Sequence, residues 1–239
     1  MRAIFFSLLL VPLSVLAEFD QCRNYFPNLT PPKLLSSIGQ TRDLCFDSFA
    51  VLHSGETKTP IFVVERLNRA RLIDAKDEVR TDKFYEEARL PSRERARLDD
   101  YRGSGFDRGH MAPAADMPNP NAIAQSFSLA NMVPQAPENN RGIWAKSVEQ
   151  SVRKFVMRTE GDVYVFTGPV YTRPVEKIGA GGVWVPRYLF KLVYDESGQR
   201  ALAYWVENRD DARMTPPILY DELKKRTNID FLPGIRLTR

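Results

Sequence analysis

The sequence is poorest in cysteine and histidine, with two of each among its 239 residues. Zinc sites in proteins rely on Cys and His ligands, usually several at each site. With so few of either residue in the whole chain, a Cys/His zinc protein is excluded. The charge is also nearly balanced, since 34 Lys and Arg against 30 Asp and Glu give a net charge of +4. So small an excess favours acidic partners through long-range steering but decides nothing alone.

The chain also lacks an apolar run that would comfortably span a bilayer. The nearest candidate, residues 4–13, follows the positive Arg2 and precedes small residues that end at Ala17. This layout predicts a secretory signal peptide over residues 1–17, cleaved near Ala17, with a buried N-terminal helix as the alternative. No stop-transfer pattern follows. We therefore expect a single domain over residues 18–239 that is secreted or periplasmic and has no membrane partner once the signal is removed.

Export would place Cys22 and Cys45 in an oxidising compartment, where the only two cysteines of the chain are expected to pair. The bridge would tie an irregular, proline-containing N-terminal segment to the first strand. It would stabilise the fold by about 2–4 kcal/mol by restricting the unfolded chain.

The hydrophobic pattern predicts an α+β fold with a mixed sheet core that gathers strands from both halves of the chain. "CFDSFAVLHS" and "PIFVVERL" flank "GETKT" and predict a hairpin, with His53 exposed or half-buried near its turn. The charge-rich residues 69–102 predict loop with short helical pieces. Further strands are expected at "SFSLANMVPQ", "DVYVFTGPVY", "VWVPRYLFKLVYD" and "RALAYWVEN", and helices at "IWAKSVEQSVRKFVM" and "PILYDELKKRTN". Lys146, Arg153 and Lys154 on the first helix are expected to form a solvated face or to flank a nucleic-acid groove.

One of the two histidines lies in "GFDRGHMAPAADM". Phosphodiester cleavage needs a base for the attacking water and positive charge against the phosphate and the leaving oxygen. A histidine with an ordinary pKa of about 6.5, here His110, could be the base. Arg108 could contact the phosphate through its fork of donors, and Gly109 would let the backbone approach a ligand closely. The alternative is a tight turn that happens to contain a histidine.

A second segment, "NMVPQAPENNRGIWAKSVEQ", supplies amide oxygens at the start of a helix. Mg²⁺ prefers oxygen ligands and keeps several waters where the protein offers few of them. A neutral Asn ligand would leave the full charge of the ion for the phosphate. Asn is also a favoured helix N-cap, which is the alternative explanation for "ENN".

Taken together, the series Asp107-Arg108-Gly109-His110, Asn131, Asn140 and Trp144 resembles the DNA/RNA non-specific endonucleases. These are ββα-metal, or His-Me finger, nucleases and include the endonuclease G type. The similarity is tightest over residues 101–153 and continues weakly to "DFLPG" near the end of the chain. It implies a ββα-metal motif and a Mg²⁺ cofactor, with Mn²⁺ as the alternative. The implied substrates are double- and single-stranded DNA and RNA, cut with little sequence preference to leave 5′-phosphates. The oligomeric state stays open.

The resemblance also implies a role for each matching residue. His110 would be the general base, and Asn140 the sole direct protein ligand of the metal, with Asn139 as the alternative register. Arg108 would contact the phosphate or the transition state, and Arg80 in "EVRTDKF" would be a further arginine near the scissile phosphate. Asn131 would orient the base region and the phosphate. Asp107 would hold the metal's waters or the local loop.

Glu149 departs from the family pattern, which places a glutamate four residues after the tryptophan, where this chain has Val148. On a regular α-helix Glu149 would lie about 180° around from Asn140 and face away from the metal. One extra residue between Trp144 and Glu149 would explain the shift. The hypothesis is therefore a π-bulge in this stretch that turns Glu149 back towards the site.

The displaced glutamate supports an alternative function, a catalytically inactive secreted protein that binds nucleic acid on the same scaffold. A hydrolase of another phosphodiester, such as a phospholipid headgroup, is a further alternative. The complete DRGH sequence and Asn140 favour the nuclease.

Overall fold

The structure, a computed structural model, describes residues 19–238, so the predicted signal peptide lies outside the described residues. The strands of this part are β1 (Lys33–Leu34), β2 (Thr41–Cys45), β3 (Phe49–Ser54), β4 (Thr59–Leu67), β5 (Asp107–His110), β6 (Met132–Gln135), β7 (Val163–Val170), β8 (Lys177–Ile178), β9 (Val183–Trp184), β10 (Tyr188–Asp195), β11 (Arg200–Glu207), β12 (Ile218–Leu219) and β13 (Ile229–Asp230). Seven of them form the central sheet, in the order β12-β11-β10-β7-β4-β3-β2. The strand pairs β1–β13, β5–β6 and β8–β9 stand apart from it.

Helices are short in this fold. They are α1 (Arg69–Asp74), α2 (Leu98–Tyr101), α3 (Pro120–Ser126), a π-helix (Asn139–Glu149) continued by α4 (Gln150–Val156), and α5 (Tyr220–Thr227). Single 3₁₀ turns occupy Arg23–Tyr25, Pro27–Leu29, Ala75–Asp77, Ala114–Asp116 and Leu129–Asn131. Within residues 19–238, none of the helices has the length and apolar character that crossing a membrane requires.

The central sheet carries a separate core on each face because neighbouring side chains of a strand point to opposite sides. One face packs an aromatic cluster that includes Phe62 and Phe166 against the N-terminal segment and α5. Val63 and Leu189 lie on the other face, where Trp144 and Val148 of the π-helix cover them. The β5–β6 ribbon and the π-helix therefore form a layer on this second face.

The α+β prediction agrees with this architecture, although the sheet expected to be mixed is antiparallel at every described pairing. The predicted hairpin is present as β3 and β4. The strand expected over residues 126–135 is reduced to β6, because Leu129–Asn131 forms a 3₁₀ turn in which Ser128 Oγ accepts from the Ala130 amide. His53 is completely buried in β3 rather than exposed near the turn.

The expected disulfide joins Cys22 to Cys45, with their Cα atoms 5.7 Å apart. Cys45 belongs to β2, and Cys22 lies in the aromatic core together with Phe19 and Phe26. The bridge thus fastens the N-terminal segment to the sheet on the face away from the π-helix.

Replacing both cysteines with serine is expected to lower the free energy of unfolding by about 2–4 kcal/mol, because the unfolded chain gains the freedom that the bridge removes. Urea unfolding followed by circular dichroism measures the change. An unchanged unfolding midpoint would contradict the stabilising role.

Candidate active site

Asn131 positions the segment that follows His110. Its side-chain oxygen accepts from the Ala112 amide at 2.9 Å, and its side-chain nitrogen donates to the carbonyls of Ala112 at 2.8 Å and Ser126 at 2.9 Å. This arrangement agrees with the orienting function predicted for Asn131. The side chain is fully buried and both its ends are bonded to backbone, so its part in orienting the phosphate stays a prediction.

His110 ends β5 and lies between two aromatic rings. The centroid of its ring is 5.0 Å from that of Phe127, edge to face, and 5.7 Å from that of Phe84. Burial, reinforced by the positive charge of Arg80, lowers the pKa of His110 to about 3. The imidazole is therefore neutral at physiological pH, and its Nε2 has no hydrogen-bond partner among the described residues. A neutral imidazole that lines the cavity can accept a proton.

Asn140 is held through one end of its amide. Its Nδ2 donates to Asp107 Oδ2 at 2.9 Å, and the same carboxylate receives two bonds from Arg141, at 2.8 and 2.6 Å. Asp107 is thus fixed by Arg141 and in turn fixes the amide. The Oδ1 of Asn140 makes no hydrogen bond to any described residue, so the amide presents an available oxygen.

Asn139, the alternative register, is a structural residue. It is buried, accepts from Gln135 Nε2 at 2.8 Å and donates to the Glu207 carbonyl at 2.8 Å.

The position of Gln135 also explains why residue 109 is a glycine. A Cβ at position 109 would lie 2.1 Å from Gln135 Oε1, so the glycine makes room for this side chain. The expected close approach of the Gly109 backbone to a ligand is thereby corrected, since the approach is to Gln135.

The helix that begins at Asn139 is a π-helix as far as Glu149, and α-helical geometry starts at Gln150. The predicted π-type irregularity is confirmed and extends over more residues than the stretch between Trp144 and Glu149. Helices closed by i→i+5 bonds turn less per residue than α-helices do. Asn140 and Glu149 accordingly line one cavity rather than opposite faces of the helix.

Glu149 belongs to a buried group of charges at the back of this cavity. Arg153 Nη1 lies 3.8 Å from Glu149 Oε2 and 3.0 Å from Asp116 Oδ1. Burial raises the pKa of Glu149 to about 7, against the opposing influence of Lys191. Arg153 was expected either on a solvated face or beside a nucleic-acid groove, and the structure contradicts the first alternative. Arg153 is instead largely buried and lines the cavity, because the loop that carries Asp116 packs against it.

The cavity has a volume of about 500 Å³ and unites nearly all the predicted site residues. Its charged lining consists of four arginines and two carboxylates: Arg80, Arg108, Arg141, Arg153, Asp107 and Glu149. The excess of two positive charges suits a phosphodiester backbone. The guanidinium of Arg108 lies 4.3 Å from the centroid of the Phe84 ring, and that of Arg80 lies 5.1 Å from the Phe127 ring.

The donors in this cavity fit a hard divalent cation. The free amide oxygen of Asn140 and the carboxylate of Glu149 are oxygen donors of the kind that Mg²⁺ prefers. Cys22 and Cys45 form the disulfide and therefore offer no thiolate ligand for a softer metal. The sequence predicted His110, Asn140 and Glu149 as site residues. Arg141 was not predicted, although it adjoins Asn140. The ion pair between Arg153 and Glu149 was not predicted either, although their i,i+4 spacing on a helix favours such a pair.

Residues 29–237 match the protein family described as DNA/RNA non-specific endonuclease. The chain belongs to this family. Its relatives include "Nuclease EXOG, mitochondrial" of Xenopus laevis, 36% identical over 206 residues, and "Endonuclease G, mitochondrial" of Homo sapiens, 32% identical over 209 residues. The first alignment covers 78% of this chain and 57% of the Xenopus protein, and the second covers 79% and 69%. The chain thus spans little more than half of the Xenopus relative.

A further relative, "Nuclease C1" of Cunninghamella echinulata var. echinulata, is 40% identical over 133 residues, which are 51% of this chain and 52% of that protein. The crystal structure of the EndoG/EndoGI complex contains a chain of the same fold. It superposes with a TM-score of 0.72 at 23% identity, over 93% of this chain and 94% of that one.

Proposed function

We propose that this chain is a metal-dependent endonuclease that hydrolyses phosphodiester bonds of DNA and RNA with little sequence preference. The observation that carries the proposal is the convergence of His110 and Asn140 on one arginine-lined cavity. Membership of the non-specific endonuclease family supports it, as do the names of the relatives, which are nucleases. Arginines that bind phosphates make no contact with the base edges, which carry the sequence information, so little sequence preference is expected.

His110 would act as the general base. As the oxygen of a water forms its bond to phosphorus, the proton of that water passes to the neutral imidazole of His110, which lines the cavity. The bond between phosphorus and the 3′-oxygen breaks, and this oxygen leaves with a proton taken from solvent. The products carry 5′-phosphate and 3′-hydroxyl ends. Arg80 and Arg108 would hold the phosphate between these groups.

Asn140 would be the sole direct protein ligand of a Mg²⁺ ion, and Glu149 would help to hold the waters of that ion. Mn²⁺ would be a substitute. When bound, the ion would supply positive charge against the phosphate and the leaving oxygen. Asp107 keeps the Asn140 amide turned so that its oxygen is available. The catalytically inactive alternative depended on a displaced glutamate. Because Glu149 lines the cavity, that support is lost.

The test is incubation of the purified protein with supercoiled plasmid and with single-stranded RNA, in Mg²⁺, in Mn²⁺ and in EDTA. We expect both nucleic acids to be cut with either metal, and cutting to stop in EDTA. The fragments should be ligatable without added kinase, because they carry 5′-phosphates. Binding without cleavage would identify an inactive scaffold, and turnover of a phospholipid headgroup in preference to nucleic acid would overturn the proposed substrate class.

We also propose that the protein is secreted or periplasmic. The layout of residues 1–17 and the disulfide between Cys22 and Cys45 support export. Mass spectrometry of the protein recovered from its producing cells should give a mature chain that begins near Glu18, found outside the cytosol. A cytosolic chain that retains Met1 would overturn this assignment.

A further inference from the structure

Three buried polar side chains share the face of the central sheet that the catalytic layer covers. Glu65, Thr167 and Lys191 lie on the adjacent strands β4, β7 and β10, and each is at most 1% exposed. Lys191 and Thr167 are cross-strand partners. Burial of a lysine and a glutamate is costly unless other interactions compensate, and the charges of Asp116, Glu149 and Arg153 also act on Glu65. The proposed mechanism uses neither residue.

The amine of Lys191 connects three parts of the molecule. Its Nζ donates to Thr167 Oγ1 at 2.7 Å and to the carbonyl of Met111 at 3.3 Å, and it lies 5.6 Å from the centroid of the Trp144 ring. Met111 directly follows His110 in the chain. Trp144 lies midway along the π-helix that carries Asn140 and Glu149.

The same backbone segment is held from its other side by Asn131, which bonds to both polar groups of Ala112. Two consecutive residues after His110 are therefore fixed by buried side chains from different elements. Of the two side chains that hold this segment, Lys191 is the one that also contacts the π-helix, through the Trp144 ring. A single buried cation thus ties the base-bearing ribbon and the metal-binding helix to the same point of the rigid sheet.

The carboxyl group of Glu65 lies close enough to Lys191 to be affected by its charge, but it makes no hydrogen bond to the Lys191 amine. Neither of its carboxylate oxygens has a hydrogen-bond partner among the described residues. Burial raises the pKa of Glu65 well above its usual range, while the charge of Lys191 acts in the opposite direction. Glu65 can therefore take up a proton if the amine is removed, so that loss of the amine need not leave an unbalanced buried charge.

We infer that Lys191 is a positioning residue for the nuclease reaction, which fixes His110 and the π-helix relative to each other through its contacts with Met111 and Trp144. This inference rests on the proposed function. It predicts a defect in the chemical step rather than in substrate binding, because Lys191 lies under the cavity and does not line it. Misplacement of reacting groups by about 1 Å can cost about 100-fold in rate.

The test compares the wild type with Lys191→Met, which keeps most of the side-chain volume and removes the amine. Lys177→Met is the matched control, because the amine of Lys177 lies 5.4 Å from the centroid of the Trp184 ring, outside the cavity. Steady-state cleavage of a short duplex is measured at saturating Mg²⁺, together with the Tm. For Lys191→Met, kcat should fall by at least about tenfold while KM stays within about twofold. For Lys177→Met both should be unchanged.

A folded Lys191→Met protein with wild-type kcat overturns the inference, as does a rise in KM alone, which would assign the residue to substrate binding. If Lys191→Met does not fold, Thr167→Val replaces it, since valine matches threonine in shape and removes the acceptor that anchors the amine. A fall in kcat at constant KM in that variant supports the inference, and an unchanged kcat overturns it. An inactive wild type would overturn the proposed function itself, and this inference with it.

Discussion

Replacing His110 with alanine is expected to lower the kcat of DNA cleavage by about 10²–10⁴-fold, the usual contribution of a positioned general base. The imidazole is neutral because burial lowers its pKa to about 3, so its loss removes the proton acceptor without removing a charge. The fold should survive, since the ring packs against Phe84 and Phe127 but its Nε2 makes no hydrogen bond to a described residue. Plasmid nicking measures the effect.

Added imidazole should partly restore the His110→Ala enzyme, because the two aromatic rings leave a space of the size of the missing side chain. The matched control is His53→Ala. His53 is also buried, and burial lowers its pKa to about 4, but it belongs to β3 and does not line the cavity. This variant should lose stability while its folded fraction keeps its kcat. Near-wild-type nicking by His110→Ala would refute the assignment of the base.

Replacing Asn140 with alanine is expected to reduce cleavage at about 1 mM Mg²⁺ by at least about 100-fold, since even the outer partners of metal ligands are worth about 10–100-fold. The substitution removes the amide oxygen that is free of hydrogen bonds to the described residues. Raising the Mg²⁺ concentration should recover part of the activity. Titration calorimetry with Mn²⁺ gives a measurement independent of catalysis and should show weakened binding.

Two further variants serve as comparisons for the loss of activity in Asn140→Ala. Asp107→Ala removes the carboxylate that receives the Asn140 Nδ2 and should produce an intermediate loss. Asn121→Ala changes an exposed amide in α3 and should have no effect. Equal metal affinity in Asn140→Ala and the wild type would exclude Asn140 as the ligand.

The parts of the site that sequence predicted are those set by short-range spacing. Asp107 to His110 form a contiguous group, and the distance from Asn131 selects Asn140 over Asn139. The π-helix was inferable because one additional residue before Glu149 cannot be accommodated on a regular helix without turning the side chain away. Local sequence also fixed the β3–β4 hairpin, whose turn is marked by glycine.

The parts that sequence missed depend on contacts between distant segments. Arg153 has the spacing of a surface position, and only the packing of the Asp116 loop buries it. Glu65, Thr167 and Lys191 come close together because β7, far along the chain, inserts between β4 and β10. No periodicity within one strand reveals which strand will lie beside it.

Expectations also failed where side chains compete for backbone groups. The run at residues 126–135 has the composition of a strand, but Ser128 bonds to the Ala130 amide and Asn131 bonds to the neighbouring loop, so β pairing begins at Met132. Ser and Asn are prone to such local bonds. The run at residues 183–195 is interrupted between β9 and β10, where Pro186 has no amide hydrogen to donate to a ladder.

The first and last described segments of the chain share one property with practical value. Phe19 and Phe26 at one end, and Phe231 and Leu232 at the other, belong to the aromatic cluster behind the sheet. The cavity opens on the opposite side. A fluorescent label or a solid support attached through either of these segments would therefore leave the catalytic side unobstructed, so an immobilised form should digest long nucleic acids as freely as the protein in solution.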